Sequence, residues 1–327
     1  MKRFISLFSI LGVLEFANRL EASCGTASCP LNTHKNLNKG GLELTLNREY
    51  INQNRIFVGS DKSFIGAISG HHDEIQTINE KTTLKFSYGL SDALGLNLEL
   101  PSIHREHSHI HNHMGAPIYE SWNFSGFGDM VVTGQYGFSF GQGEKAAELS
   151  FWAGAKLATG VTDAKNADGD QAEITVQPGS GSTDWIFGLN FRKPLFNVGS
   201  AAGELHSLLP VIVGFSYQLN GEGKEDFRFG DVFLTHLGTE YQILPRATLL
   251  FQGNLRHQRF GEEDGSQDDN TGGTWAYASP ALGVQFSDAF SGYTYLQVPV
   301  YVNVHGIQQV AKLNWQMGLS ANVNLLQ

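Results

Sequence analysis

Cysteine is nearly absent. The chain has two in 327 residues, Cys24 and Cys29, both near its start, so neither a disulfide framework nor a cysteine-built metal centre organises the fold. Proline is scarce at 9 and only 17% of residues are charged, which excludes a Pro-rich or highly charged disordered chain. No apolar run reaches the ~18 residues of a membrane helix. Basic charge is in deficit, with 22 Lys and Arg against 32 Asp and Glu and a formal net charge of −10. Without a basic surface there is no electrostatic footprint for nucleic acid, and none is expected as a partner. Catalytic signatures are missing as well. There is no Gly-x-Ser-x-Gly elbow, nucleotide loop or zinc-protease helix motif. His236 and His257 fall on strands with no nucleophile assigned to them, so no enzyme is expected.

What the chain has is glycine, 38 residues of it, and alternation. Leu313, Trp315, Met317, Leu319, Ala321, Val323 and Leu325 alternate with Asn314, Gln316, Gly318, Ser320, Asn322 and Asn324. A period of two is a β-strand with one apolar and one polar face. This one is longer than the usual five or six residues and long enough for the ~9–11 of a tilted transmembrane strand. Similar runs recur upstream, from Leu42, Leu44 and Leu46 through Leu94, Leu96, Leu98 and Leu100 to Leu296, Val298 and Val300, giving twelve candidate strands. The expected fold is all-β, a single antiparallel up-and-down transmembrane β-barrel of about 12 strands over residues 41–327. Its localisation is the bacterial outer membrane and one partner is outer-membrane lipid. Connections alternate between short turns and long loops, as in barrels with periplasmic turns and outer loops. The segments 50–81 and 101–129 read as such long loops, and the connection 194–208 is long for a periplasmic turn. Because sheet edges cannot stay unpaired in hydrocarbon, the last strand should pair with the first near residues 42–47.

Lys2 and Arg3 precede an apolar run over residues 4–14, which reads as a secretory signal peptide spanning 1–23. A periplasmic lead over 24–40 follows. In an exported protein the pair Cys24 and Cys29 is most simply a disulfide. Lipidation, metal binding and free thiols are the alternatives.

Polar residues on the non-lipid face of the strands are candidate lumen residues: Lys85, Asn97, Glu99, Lys156, Asn190, Arg192, Glu240, Asn254 and Arg256. They brace the lumen or filter a solute. The sharpest local feature is a histidine tract. His104, His107, His109, His111 and His113 are five of the chain's 12 histidines, and the last four fall at every second position. An extended backbone puts those four on one face, about 7 Å apart. Neutral imidazoles suit Zn, Cu or Ni, with Met114 and Glu106 as further donors. His71, His72, Asp73 and Glu74 in the preceding outer loop are possible contributors. The alternative is a hydrophilic loop without ligands.

Three short segments resemble a known group: Gly126-Phe127-Gly128-Asp129, then Ala155-Lys156-Leu157-Ala158-Thr159-Gly160, then Gly179-Ser180-Gly181-Ser182-Thr183-Asp184-Trp185. In this order they resemble the transporter-like outer-membrane barrels labelled "MetA-pathway of phenol degradation". On the residues themselves, the glycines suit tight turns, and Asp129 or Asp184 can accept backbone hydrogen bonds at a strand start. The resemblance implies handling of small molecules. The functional expectation is therefore a channel or transporter for a small-molecule or metal-ion solute. A surface metal-binding barrel is the alternative, and a structural or adhesion barrel the third.

Overall fold

The computed structural model describes residues 37–67, 73–113, 116–143, 146–199 and 206–326. The expected signal peptide, Cys24, Cys29, His71, His72 and Met114 lie outside the described residues, as do the side chains of His111 and His113.

Thirteen strand segments build the wall: β1 Gly41–Val58, β2 Asp73–Gly89, β3 Leu94–His113, β4 Ala116–Phe127, β5 Met130–Phe140, β6 Ala147–Leu157, β7 Asp184–Gly199, β8 His206–Leu219, β9 Val232–Leu244, β10 Ala247–Gln258, β11 Gly273–Gln285, β12 Phe290–Val304 and β13 Ile307–Asn324. Each pairs antiparallel with its neighbour, and β4 and β5 pair in succession with the same edge of β3. Those two act as one strand interrupted at Gly128 and Asp129, so the barrel has twelve. It closes where β13 pairs with β1, as expected, with Leu42 opposite Val323 and Leu46 opposite Leu319. Closure leaves the membrane-spanning part of the wall without an open sheet edge, while β4, above it, pairs on one edge only among the described residues.

The wall is inverted relative to a soluble protein. Along β13, Leu313, Trp315, Met317 and Leu319 are exposed, while Asn314 and Gln316 between them are buried. Leu44 and Leu46 likewise face out around a Thr45 that is 1% exposed. The interior is filled by polar chains, many of them bonded to one another. Asn254 donates to Ser279 at 2.6 Å, Asn314 to Gln297 at 2.8 Å, and Tyr293 to Asn47 at 2.7 Å. A hydrophobic belt outside and hydrogen-bonded side chains inside is the arrangement of a membrane-spanning barrel.

Two expectations about loops need correction. The segments 50–81 and 101–129 are largely strand, not loop: β1 runs on to Val58, β2 begins at Asp73, and β3 and β4 form a hairpin through the histidine tract. Polar composition suggested a loop, but beyond the bilayer a strand has no apolar belt to display. On β3 the outward face runs Leu94, Leu96 and Leu100, then changes to His104 and Glu106. The connection 194–208 proves short, because β7 continues to Gly199 and β8 starts at His206.

Candidate functional site

Residues 158–183, between β6 and β7, fold back against the β3–β4 hairpin. Trp122 and Phe124 on β4 pack on Ala172, with Ala164 and Val176 alongside. The three segments that carry the family resemblance meet at the base of this connection. Asp129 accepts from the backbone N–H of Gly160 and of Ser180, both at 2.8 Å, and from Ser180 Oγ at 2.7 Å. Asp184, fully buried, accepts from Ser182 Oγ at 2.7 Å and from the Gly221 N–H at 3.1 Å. Lys156 Nζ sits between the two carboxylates, 2.6 Å from Asp184 and 3.3 Å from Asp129. Gly160 and Gly179 touch backbone to backbone: a Cβ on either would lie 2.6 Å from main-chain atoms of the other. Gly179→Val is therefore expected to displace the connection, read as increased tryptic cleavage within residues 158–183.

The connection helps to line two internal cavities. The outer one is about 730 Å³ and includes Glu74, Thr77, Glu173, Val176, Trp275 and Tyr277 in its wall. The deeper one is about 520 Å³ and includes Glu99, Asp129, Trp152, Lys156, Asn190 and His236. Both share Lys81, Arg105 and Arg256, so the charged side chains at their junction are all cationic. Lys81 approaches Glu49 at 3.9 Å. Arg105 donates to the carbonyl of Gln177 at 3.2 Å and to that of Val176, and burial lowers its pKa to about 10, still charged at neutral pH. Arg256 lies 4.9 Å over the Trp275 ring and donates to Gln258 at 2.6 Å. Among the described residues neither guanidinium has a carboxylate within ion-pair distance.

The other candidate lumen residues are placed as follows. Lys85 is buried, 3.5 Å from Glu99. Arg192 is ion-paired to Glu240 and reaches Glu148 at 4.0 Å. Asn97 accompanies Gln135 at 3.4 Å, and Asn190 and Asn254 are buried.

The histidine tract divides. On β3, His104 lies on the outer face, bonded to Ser125 at 3.0 Å, with Glu106 beside it. His107 and His109 point inward and are 3% and 2% exposed. Strand register explains their neighbours. Thr77, His107 and Trp122 form one cross-strand row, and Glu74, His109 and Glu120 form the next. Glu74 and Thr77 are three apart yet share a face because the β2 register shifts between Glu74 and Gln76, a bulge that reverses the alternation. Burial, reinforced by the nearby Glu173 charge, raises the Glu74 carboxyl to about 8. Glu74, His107 and His109 offer ligand atoms that all lie within 4.8 Å of one another. Of the five tract histidines the described side chains thus gather two. Glu120 escaped the sequence reading. Its signal is hairpin arithmetic: with two residues between His113 and Ala116, His109 falls opposite Glu120.

No family model and no curated protein matches the sequence. Solved structures do match in fold. The chain is similar to an outer membrane channel from Pseudomonas putida F1 at a TM-score of 0.61 and 13% identity, covering 93% of this chain and 100% of that one. Weaker likenesses are a Pseudomonas aeruginosa FadL homologue, with a TM-score of 0.39, 10% identity and coverage of 87% and 90%, and the KdgM porin, with 0.39, 9%, 85% and 98%. Closed wall, inverted polarity and matching fold make this chain a bacterial outer-membrane β-barrel.

Proposed function

We propose that the barrel is a passive channel for small organic anions, with the exposed apolar belt in contact with lipid. One observation carries the reading: the two cavities meet at Lys81, Arg105 and Arg256, where every charged side chain is cationic. Deeper in the wall Lys85 is matched with Glu99 and Arg192 with Glu240, and these pairs set no sign of selectivity. A carboxylate can exchange hydration for guanidinium hydrogen bonds. The aromatic walls of Trp275 and Tyr277 accept an apolar ring or chain, so a small aromatic or aliphatic carboxylate fits both surfaces. That solute class accords with the small-molecule handling implied by the resemblance and with the similarity to a channel fold.

Reconstitution into planar bilayers under a salt gradient tests this. Discrete conductance steps with an anion-selective reversal potential are expected, together with faster liposome swelling in a small carboxylate than in an amine of equal size. Absence of conductance, or cation selectivity, would overturn the proposal.

A further inference from the structure

We infer that Glu74, His107 and His109 form a binding site for one divalent transition-metal ion of the zinc type, in the wall of the outer cavity. This does not depend on transport: the site is complete in a folded barrel whether or not solute crosses it.

The spacing is the first argument. His107 Nε2 lies 3.3 Å from His109 Nδ1 and 3.5 Å from a Glu74 carboxylate oxygen. Donors about 2.0–2.1 Å from a tetrahedral zinc ion lie roughly 3.3–3.4 Å from one another. These two separations match edges of such a tetrahedron, and the third, from His109 to Glu74, lies within 4.8 Å. Two imidazoles and a carboxylate are a donor set for Zn, Cu or Ni rather than for Ca or Mg, which take oxygen ligands.

The second argument is how the outer nitrogens are held. His109 Nε2 is 2.8 Å from Glu120 Oε2, the carboxylate–histidine pairing that orients metal-bound imidazoles. His107 Nδ1 is 2.9 Å from Thr77 Oγ1, which donates to Gln309 Oε1 at 2.6 Å. With the hydroxyl proton directed at Gln309, His107 Nδ1 is the donor to Thr77, and with His109 Nε2 donating to Glu120 both inner nitrogens turn lone pairs toward Glu74. The two inner nitrogens and the Glu74 carboxyl thus converge on one point that a cation can occupy in place of a shared proton. Trp122 fixes the ring planes, its centroid 5.7 Å from that of His107 and 4.8 Å from that of His109.

The third argument is access. Both histidines are buried, but Glu74 is partly exposed and lines the outer cavity. An ion can therefore enter from the vestibule and keep a fourth position for water or for an incoming anion. Glu120, and Glu74 once the ion displaces its proton, supply the negative charge that a divalent ion requires.

The test uses full-length mature protein folded in detergent. Zinc is titrated in competition with a chromophoric chelator, and Co²⁺ is titrated while the visible spectrum is recorded. One high-affinity equivalent per chain is expected, with the intense d–d bands of tetrahedral Co²⁺. His107→Ala and His109→Ala should each weaken binding about 100-fold or more. Glu120→Gln should weaken it about 10–100-fold, acting only through His109. His104→Ala, on the opposite face, should leave it unchanged. Weak zinc binding, or an octahedral Co²⁺ spectrum, in the wild-type protein would overturn the site without recourse to any variant. So would affinity lost in His104→Ala, or in a His111→Ala/His113→Ala protein that keeps both inner histidines.

Discussion

Replacing Lys156 with methionine should raise tryptic cleavage after Lys165 by about 100-fold or more. Among the described residues Lys156 is the one cation between two buried carboxylates, Asp129 and Asp184. Removing one partner of a buried ion pair costs about 3–5 kcal/mol, because the remaining charge keeps its desolvation penalty and loses its compensation. Here two carboxylates are left, so like-charge repulsion adds to the loss. The wall itself has an easier response than unfolding. Its strands are held by continuous ladders, whereas residues 158–183 are tied down through Asp129, Ser180, Gly160 and Gly179. The free energy therefore appears as local opening of that connection, and about 3 kcal/mol of opening is a factor of more than 100 in the cleavable population. Lys165 is exposed within the segment and reports on it directly. Lys156→Arg keeps the charge and should cleave at a rate much nearer the wild type. Because the connection lines both cavities, single-channel conductance should rise in the methionine variant. An unchanged cleavage rate would mean that the connection is held by packing on Trp122 and Phe124 rather than by the ionic knot.

The barrel was legible in the sequence because its physics is periodic. Inside a bilayer the lipid face must be apolar and the interior polar at every second residue, so alternation at Leu94, Leu96 and Leu100, or along 313–325, reports strand, span and orientation together. The same rule explains where reading failed. Above the belt the outward face no longer has to be apolar, and β1, β2 and the β3–β4 hairpin run on through Arg48, Glu80, His104 and Glu106, residues whose polarity suggests loop. The site was half visible. Spacing by two put His107 and His109 on one face, which the structure shows. Separating them from His104 required knowing that the tract is strand rather than loop. Recruiting Glu74 required a bulge, and Glu120 a hairpin register, neither of which composition records. The short glycine and aspartate motifs were read as rim features, and Asp129 and Asp184 do accept backbone N–H groups at strand starts. Their convergence on Lys156 across separate segments is a tertiary fact that no local pattern contains.

Reversing the charge at Arg256 should strip the channel of most of its anion selectivity. Arg105 occupies the same junction, but it also holds the carbonyls of Val176 and Gln177, so its replacement would mix electrostatics with release of the connection. Among the described residues Arg256 bonds to Gln258 alone and stacks on Trp275. Its substitution therefore changes the field at the junction and leaves the knot at Lys156 intact. A unit charge about 4 Å from a passing ion contributes about 1 kcal/mol in bulk water and about 4 kcal/mol at an effective dielectric of 20. Arg256→Glu changes the sign of that contribution. Even at the aqueous limit the anion-to-cation permeability ratio should fall by about tenfold or more, and the reversal potential under a salt gradient should move toward zero, Lys81 and Arg105 still being in place. Arg256→Gln should fall between the two, since Lys81 and Arg105 remain. High salt should shrink the difference among the three proteins, because screening lengths shorten to about 3 Å at 1 M. If Arg256→Glu conducts with wild-type selectivity, ions do not pass this junction. The cationic cluster would then brace the connection, and the filter would have to be sought among the side chains nearer the short-turn end.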